Sequence, residues 1–88
     1  MPVRVVWHRD ALQQLASVWL NTDNRAGITA ASSQIDFELS DRPLAKSRPS
    51  GDRLYSFRVL PLVVLFDYRP ADQMVEIVAV HEVRPDRN

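Results

Sequence analysis

The cations of this 88-residue chain are unevenly spread. Arg42, Lys46, Arg48, Arg53 and Arg58 fall in one stretch with a single acid, Asp52, a local charge of +4. The segments before and after it each carry three arginines against five acids, −2 apiece, so the whole chain is neutral. A guanidinium grips a phosphate or carboxylate through two parallel N–H donors. Concentrated in this way, the cations read as an anion-binding patch, with a solvated loop as the plain alternative. His8 and His81 are the only imidazoles. That group can both accept and donate a proton near neutral pH.

Several other chemistries find no support. With no cysteine and no H-x3-H spacing, the sequence offers no thiolate or paired-histidine metal site, and neither a metal nor a cofactor is expected. Neither G-x-S-x-G nor G-x-x-x-x-G-K-[ST] occurs. Zero net charge argues against a strong, non-specific nucleic-acid binder. The start, MPVRVVWHRD, lacks the apolar core of a secretory signal. The apolar run from Val59 to Phe66 is far short of the ~20 residues a membrane helix needs. The expectation is a soluble cytoplasmic protein with no membrane partner.

The elements that must position these groups are led by residues 53–83, RLYSFRVLPLVVLFDYRPADQMVEIVAVHEV. Three apolar runs separated by Leu60-Pro61 and by residues 69–73 predict an antiparallel meander. Side chains alternate across a strand, so Tyr55, Phe57 and Val59 share one face, and Arg58 with Ser56 and Leu54 the other. Residues 62–66 are apolar on both faces, which suits a strand covered on both sides. In the last strand Val75, Ile77, Ala79 and Val83 form one face, opposite Glu76, Val78, Val80 and Glu82. By that parity His81 points with Ile77 toward the core; a bulge after Val80 would reverse its direction.

Upstream, Val3 to Trp7 predicts a short strand. Ala11, Leu15, Val18 and Trp19, flanked by Leu12, predict one apolar helix face, with Gln13, Gln14 and Ser17 away from it. Residues 21–24 stop that helix and cap a second, from about Arg25 to Leu39, with Ile28, Ala31, Ile35 and Leu39 at helical spacing. Asp36 and Glu38 read as a solvated face. Residues 40–52, with Pro43, Pro49 and Gly51, read as a loop. The fold class is α+β, in the order β-α-α-β-β-β, with a helical hairpin on one face of a small, mostly antiparallel sheet. Residues 1–83 form a single domain, and 84–88 a polar tail.

This order resembles the RelE/ParE toxin superfamily of bacterial type II toxin–antitoxin, or plasmid-stabilisation, systems. The resemblance rests on VVWHRDALQQLASVWL with its W-x3-A-x3-L spacing, on ASSQIDFELSDRPLAKSRPSG with I-D-x2-L and then Pro, and on the meander. It covers nearly the whole chain, and its specificity lies in the order of loose motifs. It implies a concave sheet face opposite the helices. There, RelE-like members cut messenger RNA on the ribosome, whereas ParE-like members inhibit DNA gyrase. It also implies a cognate antitoxin that wraps the toxin with a helix and an extended segment. A homodimer is a further arrangement it leaves open.

The resemblance assigns catalytic roles to Arg53 and Arg58 on the first meander strand, and to His81 and Arg84 near the end of the last. Lys46, Arg48, Arg53 and Arg58 become the phosphate-binding set. Cleavage through the 2′-hydroxyl needs a proton acceptor, a proton donor for the leaving oxygen, and cations on the phosphate. Two family elements are replaced. Pro61 and Leu62 stand where an arginine usually opens the next strand, and no aromatic follows Tyr68. The departures leave open a catalytically degenerate toxin fold acting only as a protein-interaction module.

Overall fold

The computed structural model describes residues 3–51 and 53–83. The elements run β1 (Arg4–Trp7), α1 (Arg9–Asn21), α2 (Arg25–Asp41), β2 (Arg48–Pro49), β3 (Leu54–Val59), β4 (Leu62–Arg69), a single 3₁₀ turn (Pro70–Asp72) and β5 (Met74–Glu82). They form one five-stranded sheet in the order β1-β5-β4-β3-β2. β3, β4 and β5 are the expected meander, joined by Leu60-Pro61 and by the 3₁₀ turn. One feature differs from expectation, and a second adds to it. The loop after α2 contains β2, which pairs antiparallel through Arg48↔Ser56 and Pro49↔Tyr55. Proline costs nothing there, because an edge strand has no ladder bond to lose on its outer side. β1 lies parallel to β5, with Val5 opposite Val75 and Trp7 opposite Ile77.

Both helices pack on one face. Ile28, Ala31, Ile35 and Leu39 of α2 and Ala11 of α1 join Phe57, Leu62, Val64, Phe66, Val75, Ile77 and Val80 in the core. The 3.6-residue period of α2 places its four buried positions on one stripe. Asn24 caps α2 by accepting from the Gly27 N–H at 3.1 Å. A Cβ on Gly27 would run into that Asn24 side chain, so the glycine belongs to the cap. The end of α1 has no cation of its own. Instead Arg25 reaches back to the Trp19 and Leu20 carbonyls at 3.0 and 3.4 Å, with its guanidinium 4.7 Å over the Trp19 ring.

Some polar groups expected to be solvated are ties. Asp36 accepts from the Trp7 indole N–H at 2.7 Å, joining α2 to β1, and Glu38 pairs with Lys46. Gln14 is exposed, yet its side chain reaches the sheet. Its Oε1 accepts from the Val80 N–H at 2.8 Å, at the level of β5 where the β1 ladder has ended. Strand amides shielded from water must find a partner. Gln14→Ala leaves this one without its partner and is expected to cost about 1–2 kcal/mol. Urea unfolding would measure it; an unchanged midpoint would mean that water replaces the glutamine.

The largest departure lies in β5. Leu65 pairs with Ala79 but Phe66 pairs with Ile77, so Val78 has no residue opposite it. This β-bulge resets the alternation of side chains. Val75 and Ile77 face the core as expected, but beyond the bulge it is Val80 that is buried and His81 that is exposed. The parity that turned His81 inward and Val80 outward is therefore overturned. The physical reason is the cost of the regular alternative. An unbulged strand would bury an imidazole, which needs a polar partner, and would leave a valine in water. The expectation that β4 is covered on both sides is also corrected. Leu62, Val64 and Phe66 are buried beneath the helices, whereas Val63 and Leu65 are only half-buried on the open face.

Candidate functional site

The pairing register assembles the open face in rows. One row runs Arg58 on β3, Val63 on β4 and His81 on β5. The next runs Arg48 on β2, Ser56, Leu65 and Ala79. Strands lie about 4.8 Å apart, so the Arg58 and His81 backbones are separated by ~10 Å across Val63. That gap is within the combined reach of an arginine and an imidazole on one phosphodiester. The bulge at Val78 puts His81 in this row, and no periodicity in the sequence signals it.

Lys46, Arg48, Ser56, Phe57, Arg58 and Val63 line an open concavity of about 370 Å³. Among the described residues no carboxylate lines it. Arg48 and Arg58 make no ion pair or side-chain hydrogen bond with any described residue. Two guanidiniums that no described residue neutralises repel each other in one hollow, and an anion relieves that repulsion. Lys46 differs from them. Its Nζ lies 3.2 Å from Glu38 Oε2, and part of its charge is already answered there.

The other candidates lie elsewhere. Arg53 is not on the first meander strand as expected: it lies in the turn before β3, beyond the ~13 Å of strand from Leu54 to Arg58, and does not join the row. It lines a different hollow with Tyr55, Asp67, Tyr68 and Arg69. There the Asp67 carboxylate accepts from Arg69 Nε at 3.1 Å. That bond, with the nearby charges of Asp67, Glu76 and Asp72, raises the Arg69 pKa above its ordinary value. Arg84 lies outside the described residues. Leu62, where the family carries an arginine, is fully buried against the helices and offers nothing to the face. His8 is the N-cap of α1, its Nδ1 accepting from the Asp10 N–H at 3.1 Å. No group of three or more acidic, histidine or cysteine side chains able to hold a metal occurs among the described residues.

A surface that the sequence reading passed over lies on the outside of the helical hairpin. Leu12, Leu15, Ala16, Trp19 and Leu20 of α1 face Ile28, Thr29 and Ser32 of α2 across an apolar groove of about 420 Å³. Leu12 is 50% exposed, Trp19 41% and Leu20 64%. Trp19 is thus a groove wall more than a core residue. The signal was the second stripe on α1, in which Leu12, Ala16, Trp19 and Leu20 recur at helical spacing beside the core-facing one.

No protein-family model and no curated protein matches the chain by sequence. Solved structures do match by shape. A chain of the RelBE2 toxin–antitoxin complex of Mycobacterium tuberculosis superposes with a TM-score of 0.80 at 21% identity, covering 98% of this chain and 95% of that one. A chain of the chromosomal ParDE system of P. aeruginosa gives 0.70 at 13% identity, covering 93% and 97%. The isolated E. coli RelE toxin gives 0.63 at 10% identity, covering 96% and 87%. Identities this low speak to architecture, and the architecture agrees from end to end: the chain has the RelE/ParE toxin fold.

Proposed function

We propose that this chain is the toxin of a type II toxin–antitoxin pair, and that its open face binds messenger RNA on the ribosome and cuts it. The observation that carries the reading is the row Arg58–Val63–His81, with Arg48 beside it in a hollow that no described carboxylate lines. His81 takes the proton of a ribose 2′-hydroxyl, whose oxygen attacks the adjacent phosphorus. Arg58 and Arg48 hold the non-bridging oxygens as charge builds on them. His81 returns the proton to the leaving 5′ oxygen, so the products are a 2′,3′-cyclic phosphate and a 5′-hydroxyl.

The antitoxin reading draws on two surfaces. Matched chains come from toxin–antitoxin complexes. The groove of α1 and α2 suits the apolar face of a partner helix, and the basic hollow suits an acidic extended segment. A second reading, gyrase inhibition, is favoured by one feature. Val63, Leu65 and Ala79 leave the centre of the open face apolar, as a protein-binding surface would be.

Regulated induction in a bacterial host separates these readings, with total mRNA and plasmid supercoiling followed together. Growth arrest with fragmented mRNA is the expected result. Arrest with intact mRNA and altered supercoiling would replace cleavage by gyrase inhibition. Normal growth with soluble, folded protein would mean a toxin fold that serves only as an interaction module.

A further inference from the structure

The far end of the sheet, where β3 begins, holds a second hollow of about 530 Å³ lined by Arg53, Tyr55, Asp67, Tyr68 and Arg69. Its two arginines are in different states. Arg69 donates to Asp67 and to Glu76. Arg53 has no hydrogen-bond or ion-pair partner among the described residues. Its backbone is left-handed, with φ of 62°, a conformation that side-chain-bearing residues seldom adopt. A cation without a partner among the described residues is thus held in an unfavourable backbone state beside this hollow.

The aromatic walls are equally specific. Tyr55 stacks on Phe66 with ring centroids 5.7 Å apart and 26° between planes. Phe66 is fully buried and fixes the tyrosine ring against the core. Tyr68 is half-buried, and neither tyrosine hydroxyl bonds to another described residue. Asp67 spends one carboxylate oxygen on Arg69, which leaves the other free to accept.

Rings beside a guanidinium that no described residue pairs are the combination that takes single-stranded nucleic acid. The ring stacks on any base, the guanidinium holds a phosphate, and a carboxylate can accept from a base amino group. We propose that this hollow binds one nucleotide of single-stranded RNA, with the base against Tyr68 or Tyr55 and the phosphate on Arg53. It would be a different nucleotide from the one at Arg58, given that Arg53 lies beyond the ~13 Å of strand from Leu54 to Arg58. The inference rests on the RNA reading above and extends it to a second point of contact.

Two measurements on the full chain test it. In the first, 5′-AMP is titrated into ¹⁵N-labelled protein. The expected result is amide shifts at Arg53, Tyr55 and residues 67–69. Shifts confined to Lys46, Arg48 and Arg58 would overturn the inference while leaving the open-face reading intact. In the second, a short fluorescein-labelled single-stranded RNA is bound at several salt concentrations. Arg53→Gly, which also removes the backbone cost, is expected to weaken binding roughly 10-fold and to lower the salt slope by about one. Tyr68→Leu is expected to weaken it about 5-fold or more. If Arg58→Ala weakens binding but Arg53→Gly and Tyr68→Leu do not, the second contact does not exist. If the wild-type chain binds no RNA, both readings fall.

Discussion

Arg58→Ala is expected to abolish growth arrest and to slow RNA cleavage by about 10²- to 10³-fold, the usual loss when one preorganised donor to a developing charge is removed. Arg58 stands on the open face of β3, exposed, in a hollow with no acid and no competing partner among the described residues. Its whole donor fork is therefore available to a phosphate. An exposed strand position away from caps and buried networks changes stability by no more than about 0.5 kcal/mol, so the variant should fold as the parent does. Growth of the induced host and primer-extension mapping of its mRNA measure the effect, with circular dichroism as the folding control. Lys46→Ala provides the contrast. Lys46 already faces Glu38 at 3.2 Å, so its removal should slow cleavage far less. Full toxicity in Arg58→Ala would remove Arg58 from the site.

Much of the fold was legible because its signals are local. The α2 stripe Ile28, Ala31, Ile35 and Leu39 is a 3.6-residue period, and every one of those residues is buried. The direction of Arg58 followed from a period of two over the six regular residues of β3. What escaped has no local signal. β1 pairs with β5 about 70 residues away, and parallel pairing across such a span leaves no turn between partners to read. The bulge at Val78 is set by competition among the burial of Val80, the solvation of His81 and the pairing of β4. None of these is visible along β5 alone. Half of the candidate row was thus predictable, and the other half depended on one unpaired residue. Ties such as Trp7 to Asp36 and Val80 to Gln14 were missed for the same reason, since amphipathic spacing says where a side chain points but not what it meets.

Phe66→Ala is expected to have the largest effect on stability. Phe66 is fully buried, sits opposite Ile77 at the register shift, and carries the Tyr55 ring on its face. Truncating a buried phenylalanine costs about 3–5 kcal/mol through lost transfer energy and the cavity left behind, and the lost ring pair falls within that figure. A domain of this length has a total stability of only about 4–13 kcal/mol. The midpoint of thermal unfolding should therefore drop by about 15 °C or more, and much of the chain should be unfolded at growth temperature. Toxicity would then be lost in Phe66→Ala as in Arg58→Ala, but for the opposite reason, and circular dichroism distinguishes the two. Phe66→Leu, which keeps most of the volume, should recover most of the loss. A Phe66→Ala variant that unfolds at the parent's midpoint would mean that β4 and β5 do not pair in this register. The bulge that turns His81 to the open face would fall with that register.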